Sequence, residues 1–387
     1  MIKLVYDTID ELDISDLISW LKTKPLLTKG KITEKMEKSW SEWLGVKHSL
    51  YVNSGSSANL AIITALKASR RFKNNKIVVP AVSWSTTVAP VMQLGLTPVL
   101  CDCDRNNLGL DLNHLKKICA EQNPAAIVIV HVLGIPCSMD EIQNICNEYD
   151  VLLIEDSCES VGSRYKGKMT GTFGVASSFS FYFGHHISTI EGGMVCTNDD
   201  ELCEILKSIR CHGWDRDLSE KYQARLRNEY KIDEFRALYT FYWQGYNLRS
   251  TDLQARIGLS QMQKIDYICK KRHENLLLYD KHIKNDFWKL PITQDSFISN
   301  FAYPIITPQI DQLVKALYSN DIEARPLVCG SIGRQPFWKK EYGETNLPFA
   351  NIVHDYGLYV PNNHQLTEKD IVKVCNLVNQ HLGVKYE

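Results

Sequence analysis

From about residue 45 to residue 200, short apolar runs alternate with stretches whose apolar residues recur at helical spacing. Short apolar runs between polar punctuation read as strands buried on both faces, and the stretches between them as crossover helices. The pattern therefore predicts an α/β fold with a mainly parallel seven-stranded sheet covered by helices on both sides. The expected strands are 49–53, 77–80, 98–103, 126–131, 151–155, 177–181 and 193–197. Beyond residue 250, TDLQARIGLSQMQKIDYICKKRHENLLLYDKHI reads as one long connecting helix. Extended segments (FAYPIITP, DIEARPLV, YGLYVP) then alternate with the helical patterns QIDQLVKALYS and EKDIVKVCNLVNQHL, predicting a smaller C-terminal α+β domain. The division expected is 1–250 for an N-terminal segment and large domain, and 251–387 for the connecting helix and small domain. Residues 214–246, rich in Arg, Glu and Tyr, carry no periodicity that places them.

In such a sheet, ligands gather beyond the carboxyl ends of the strands. Three polar segments fall there: NSGSSAN, EDSCES and FGHHIST. Charge narrows the choice of ligand. A net charge of -1 with acids and bases interspersed offers no basic face for nucleic acid and no polybasic membrane segment. The start MIKLVYDTIDELDISDL lacks the basic and apolar regions of a signal peptide, and no apolar run approaches the ~20 residues of a membrane span. A cytoplasmic protein acting on a small molecule, alone or with a second copy of itself, is expected. The twelve cysteines lie scattered in apolar runs, so they are expected to be reduced and buried. Cys101 and Cys103 are a close pair, but no second pair completes a zinc or iron–sulfur set, and no metal site is expected.

NSGSSANLAIITAL reads as strand, glycine turn and helix. The backbone amides near Gly55, Ser56 and Ser57 would then either bind phosphate at a helix N-terminus or merely accompany a serine N-cap. Asp156 ends an apolar strand, where it could bond a protonated heterocyclic nitrogen or cap the next turn. His185 and His186 follow a strand in a glycine-flanked loop at the sheet edge, which makes a candidate acid or base.

The ordered segments LLTKGKITEKMEKSW, NSGSSAN, VPAVSWSTTVAPV, VIVHVLGIP, IEDSCESVG, SFSFYF, EGGMV and GYNLRSTDLQARIG resemble the DegT-type nucleotide-sugar aminotransferases over essentially the whole chain. The resemblance implies the aspartate-aminotransferase-like fold (pyridoxal-phosphate fold type I) and a homodimer. It also implies a coenzyme joined to a lysine in a segment like S-F-Y-P-T-K-N. Here Ser180 to His186 match that segment, and His185 stands where the lysine would be; no lysine lies between Lys168 and Lys207. A histidine-bearing dehydratase branch of the family has this exchange. A second such branch holds a two-iron cluster on spaced cysteines, and no matching set is present in this sequence.

Carried over by position, the resemblance implies that His185 is catalytic and that Trp84 stacks on the ring of pyridoxal 5'-phosphate or pyridoxamine 5'-phosphate. Asp156 would pair with the pyridine nitrogen, while Gly55, Ser56 and Ser180 hold the phosphate. Asn247 would reach the phosphate of the coenzyme in the other subunit, so that the site lies at a dimer interface. The turn Ser54-Gly55-Ser56-Ser57 departs from the family's S-G-T-x-A but keeps a hydroxyl and the helix-start amides. The expected reaction is C3 dehydration of a GDP-4-keto-6-deoxy sugar, with L-glutamate regenerating the amine form and ammonia released. Its rivals are sugar 4-amino transfer and non-catalytic coenzyme binding. His186 is expected to pack the loop, and Arg325 falls in a region that closes over the site in this family.

Overall fold

The computed structural model describes residues 1–292 and 296–382, so the last positions of the expected C-terminal unit, 383–387, lie outside the described residues. The large sheet contains β1 (His48–Val52), β2 (Lys76–Pro80), β3 (Thr97–Cys101), β4 (Ala126–Val130) and β5 (Leu152–Asp156). After a two-residue hairpin, β6 (Arg164–Tyr165) with β7 (Lys168–Met169), it is completed by β8 (Ala176–Ser180) and β9 (Gly193–Thr197). All seven strands fall within two residues of their expected bounds. Their order is β1-β9-β8-β5-β4-β2-β3. β9 runs antiparallel to both its neighbours, and the other pairings are parallel. β4 and β8 are buried at every position because helices cover both faces, which is why these runs are continuously apolar or small rather than alternating.

Between the strands, helices Gly55–Ala68, Ser85–Gln93, Leu112–Gln122 and Met139–Tyr149 provide the crossovers. Helix Lys31–Leu44 packs over the β1 edge and starts on Gly30, whose own side chain cannot cap it. The cap comes from Asp252, 222 residues away: its carboxylate accepts the amides of Gly30 (2.7 Å), Ile32 and Thr33, and the Thr33 hydroxyl. A Cβ on Gly30 would stand 2.9 Å from that carboxylate. Two segments that carry the family resemblance, LLTKGKIT and RSTDLQ, are thus halves of one helix cap.

The expected single connecting helix is two, Asp252–Met262 and Ile265–His282. The break is where Gln261 and Lys264 turn to the N-terminal segment, both bonding the Thr8 carbonyl and the Asp13 carboxylate. Those contacts fix the turn at Lys264, whose backbone is non-helical (φ -114°, ψ 2°).

The small domain is a three-stranded antiparallel sheet, β10 (Tyr303–Ile306), β12 (Gly357–Val360) and β11 (Arg325–Pro326) in that spatial order, with helices Ile310–Ser319 and Glu368–His381 packed together. The N-terminus joins it. Ile2 bridges Ile322 in parallel, and the Leu4 amide donates to Glu323 at 2.9 Å. The stretch that periodicity could not place, 214–246, folds as helices Glu220–Tyr230 and Glu234–Ala237 between the bridges Cys211↔Asn247 and Trp214↔Phe241. All twelve cysteines are free thiols, ten of them buried.

Candidate active site

A cavity of about 780 Å³ opens at the carboxyl ends of the sheet strands, roofed by the small domain and the N-terminal segment. Gly55, Ser56, Trp84, Asp156, Ser180 and His185 all line it. Asn247 does not: it is exposed, and its backbone pairs with Cys211.

The two acids that end β5 divide by strand alternation. Glu155 is fully buried and accepts the amides of Gly171, Phe173 and Gly174, so its work is to fold the loop after β7. Asp156 faces the cavity. One of its carboxylate oxygens accepts the Thr87 hydroxyl (2.7 Å) and the Asn59 amide (2.8 Å), and the other accepts the Cys158 N–H (3.2 Å). Asn59 is itself held, accepting from Ser178 at 2.6 Å. A buried carboxylate fixed this way is pre-oriented toward a positively charged donor in the cavity. Sequence reasoning missed Asn59 and Thr87, although both lie inside the segments NSGSSAN and SWSTTV. One helical turn beyond a glycine and a tryptophan is the position from which a side chain can reach the neighbouring strand end.

One end of the cavity is built from two helix starts. Ser54 caps helix Gly55–Ala68, accepting the Ser57 amide at 3.0 Å, which is the capping alternative. Capping leaves the first-turn amides of Gly55 and Ser56 without intrahelical partners, as at any helix start. The Ser56 hydroxyl meets Thr86 at 2.7 Å, tying this start to that of helix Ser85–Gln93. At Gly55 a Cβ would stand 2.7 Å from the Ser180 Cβ and 2.8 Å from the Cys158 sulfur, so only glycine lets these elements converge. Trp84 precedes the second helix with 59% of its surface exposed, an open aromatic face at the cavity wall.

The adjacent histidines point in different directions. His186 is fully buried, and its Nε2–H donates to the Ser299 carbonyl at 2.9 Å, so it packs the loop. His185 lines the cavity, tilted against Phe301 with ring centroids 5.2 Å apart. Its Nδ1 is buried with no hydrogen-bond partner among the described residues. Burial, joined by the charge of Arg272, lowers its pKa to about 4 against the pull of the Cys158 backbone and Asp156. The imidazole is therefore neutral near pH 7 and able to take a proton. Glu159, also in the lining, is pushed up to about 7 by burial; the Leu133 amide it accepts (2.7 Å) opposes this, and the Asp156 charge adds to it.

The far wall comes from Phe301, Glu323, Arg325 and the N-terminal residues Lys3 to Val5. Lys3 is the lysine of this lining. It enters from the opposite end of the chain, where no motif near His185 could have announced it.

Residues 7–379 match the model of the DegT/DnrJ/EryC1/StrS aminotransferase family. The chain belongs to this family. Among curated relatives, a GDP-4-keto-6-deoxy-D-mannose 3-dehydratase of Yersinia pseudotuberculosis is 36% identical over 366 residues, covering 92% of this chain and 91% of its own. A GDP-perosamine synthase of Escherichia coli O157:H7 is 28% identical over 92% of each chain. A crystal structure of GDP-4-keto-6-deoxymannose-3-dehydratase with a trapped PLP-glutamate geminal diamine superposes with TM-score 0.89 at 32% identity, over 98% of this chain and 100% of that one. The fold is that of the DegT/DnrJ/EryC1/StrS proteins, a large mainly parallel sheet with a small antiparallel C-terminal domain.

DegT/DnrJ/EryC1/StrS family members use pyridoxal phosphate, and the cavity fits it. A fixed carboxylate, two helix-start amides beside serine hydroxyls, and an exposed aromatic face line one space. His185, which the resemblance sets against the family lysine, lines the same space.

Proposed function

We propose that this protein is a pyridoxamine-phosphate-dependent 3-dehydratase of a GDP-4-keto-6-deoxy sugar, forming the 3,6-dideoxy-4-keto sugar. The observation that carries this is His185: a neutral imidazole with an unpartnered buried nitrogen, inside the coenzyme cavity, in the position of the coupling lysine. When bound, the coenzyme supplies the amine that condenses with the C4 ketone and a ring that withdraws electrons. Asp156, oriented by Asn59 and Thr87, keeps the pyridine nitrogen protonated. Gly55, Ser56 and Ser180 hold the phosphate, and Trp84 covers the ring. His185 removes a proton from the coenzyme's C4' carbon and delivers it to the departing C3 oxygen, which leaves as water. The released 3-deoxy enamine hydrolyses to the keto sugar and ammonia, and L-glutamate returns an amino group for the next cycle. Without a lysine anchor the aldehyde form of the coenzyme is exchangeable.

The protein is read as a homodimer with its sites at the subunit interface. Asn247, exposed and outside its own cavity, is assigned to the phosphate of the partner's coenzyme. The exposed Leu12, Leu26, Phe235 and Tyr239 are the apolar surface such an interface would cover. No helix among the described residues is long and apolar enough to cross a membrane, and the reading places the enzyme in the cytoplasm.

The test is incubation with pyridoxal phosphate, L-glutamate and a GDP-4-keto-6-deoxy sugar, assaying ammonia and 3-deoxy product. A 4-amino sugar without ammonia would return the protein to the aminotransferases. Borohydride should trap no coenzyme on the chain, and an adduct on Lys3 would sink the exchangeable-coenzyme reading.

A further inference from the structure

Helix Ile265–His282 carries a cation into the protein interior. Arg272 is 2% exposed, and its guanidinium donates to the carbonyls of Phe301 (2.8 Å), Asn300 (3.4 Å) and Asn362. Its Nε finds no hydrogen-bond partner, and no carboxylate pairs with it among the described residues. Carbonyl dipoles engage its Nη1 without cancelling its charge, an expensive arrangement in a protein interior. The guanidinium carbon lies 5.9 Å from the centre of the Phe301 ring, and that ring contacts His185. Phe301 lines the cavity and Arg272 does not.

The other charged or titratable groups around His185 are Asp156 and Glu159 in the cavity lining, the neutral His186 beside it, and Cys158, which acts through its backbone. Cys269, one turn before Arg272, is the titratable neighbour of the guanidinium on its own helix.

We propose that Arg272 is a positioning residue for the proton carrier: a buried, uncompensated cation that, across Phe301, keeps the His185 imidazole free of a proton until the reaction delivers one. The proposal rests on His185 being that carrier. An unscreened positive charge in a low-dielectric interior disfavours a second one nearby. It therefore does two things for a group that must both take and give. It keeps the base form populated at neutral pH, and it makes the imidazolium a stronger acid toward the departing oxygen. Asp156 pulls the other way, and its own ties to Asn59 and Thr87 keep that pull constant.

The experiment is an imidazole nitrogen NMR titration of coenzyme-free protein, with the His185 signal assigned by its loss in His185→Asn. Arg272→Gln removes the charge, and Arg272→Lys keeps it while losing the fork of hydrogen bonds. Cys269→Asp sets a carboxylate one turn from the guanidinium with its three carbonyl bonds left in place. Arg272→Gln and Cys269→Asp should each raise the His185 midpoint by about one unit, and Arg272→Lys should leave it within a few tenths. The acid limb of kcat/KM in the loaded enzyme should move the same way. Coincident midpoints in the unmodified protein and either charge-removing variant overturn the proposal, as does an equal shift in Arg272→Lys. Cys269→Asp carries the test if Arg272→Gln does not fold. If neither folds, an unmodified midpoint at or above the ordinary ~6.5 overturns it outright. Full turnover by His185→Asn would instead remove the reading of His185 itself, so the two failures are distinct.

Discussion

The two walls of the cavity are held by different means. On the sheet side, polar side chains fix one another: Ser178 holds Asn59, Asn59 and Thr87 hold Asp156, and Ser56 meets Thr86. On the far side, backbone carbonyls and a cation set the position of Phe301, and the N-terminal strand is laid against the small domain. The first arrangement presents ready-made partners to a coenzyme. The second presents the Phe301 ring beside the charged side chains of Lys3, Glu323 and Arg325, with the Arg272 cation behind that ring. The contrast teaches that binding and proton transfer are separately supported, so a substitution on one wall should change one and spare the other.

The sharpest way to break this contrast is His185→Asn. It should reduce dehydration by about 10³-fold or more, in the range expected for loss of a general base, while coenzyme affinity by absorbance titration stays within a factor of about three. Near-normal turnover would mean that another lining group, such as Glu159, carries the proton. Asp156→Asn tests coenzyme binding instead. It keeps the shape but loses a charge-assisted hydrogen bond worth about 1.5–3 kcal/mol, so coenzyme affinity should fall about 10- to 100-fold. An unchanged dissociation constant would put the pyridine nitrogen elsewhere. The mildest of the three is Gly55→Ala. Its Cβ would meet Ser180 and Cys158 at under 3 Å. A cost of about 1–3 kcal/mol is expected, read as a lowered Tm in coenzyme-free protein and a weaker phosphate-dependent rise on adding coenzyme. A Tm equal to that of the unmodified protein would show that the helix start can give way there.

The same contrast explains what could be read from the chain alone. The sheet wall is made of short motifs at strand ends, where apolar runs stop and polar residues begin, so Gly55, Asp156 and His185 were legible by position, and Trp84 and Ser180 through the family resemblance. Asn59 and Thr87 escaped because a hydrogen bond across neighbouring elements leaves no local period. Phe301, Arg272 and Lys3 escaped for a stronger reason. They come to the site from segments distant in sequence from His185, and an apolar residue or a helix-borne arginine has the same appearance in sequence whether it serves a core or a cavity. The long connecting helix was misjudged at one point because its break at Lys264 is set by Asp13 and Thr8, contacts with the opposite end of the chain. The helical period alone carries no sign of them.

The cap that Asp252 places on helix Lys31–Leu44 has a consequence for how the protein is made. A growing chain exposes that helix with its leading amides unanswered until residue 252 has left the ribosome, and the strand pairing of Ile2 waits further, for residue 322. At synthesis rates of about 5–20 residues per second, that is a delay of roughly ten seconds to a minute. During it the sheet can form while the ends of the molecule stay loose. The coenzyme site is therefore among the last parts to close, and an early-terminated chain would be left with the sheet and without an enclosed cavity.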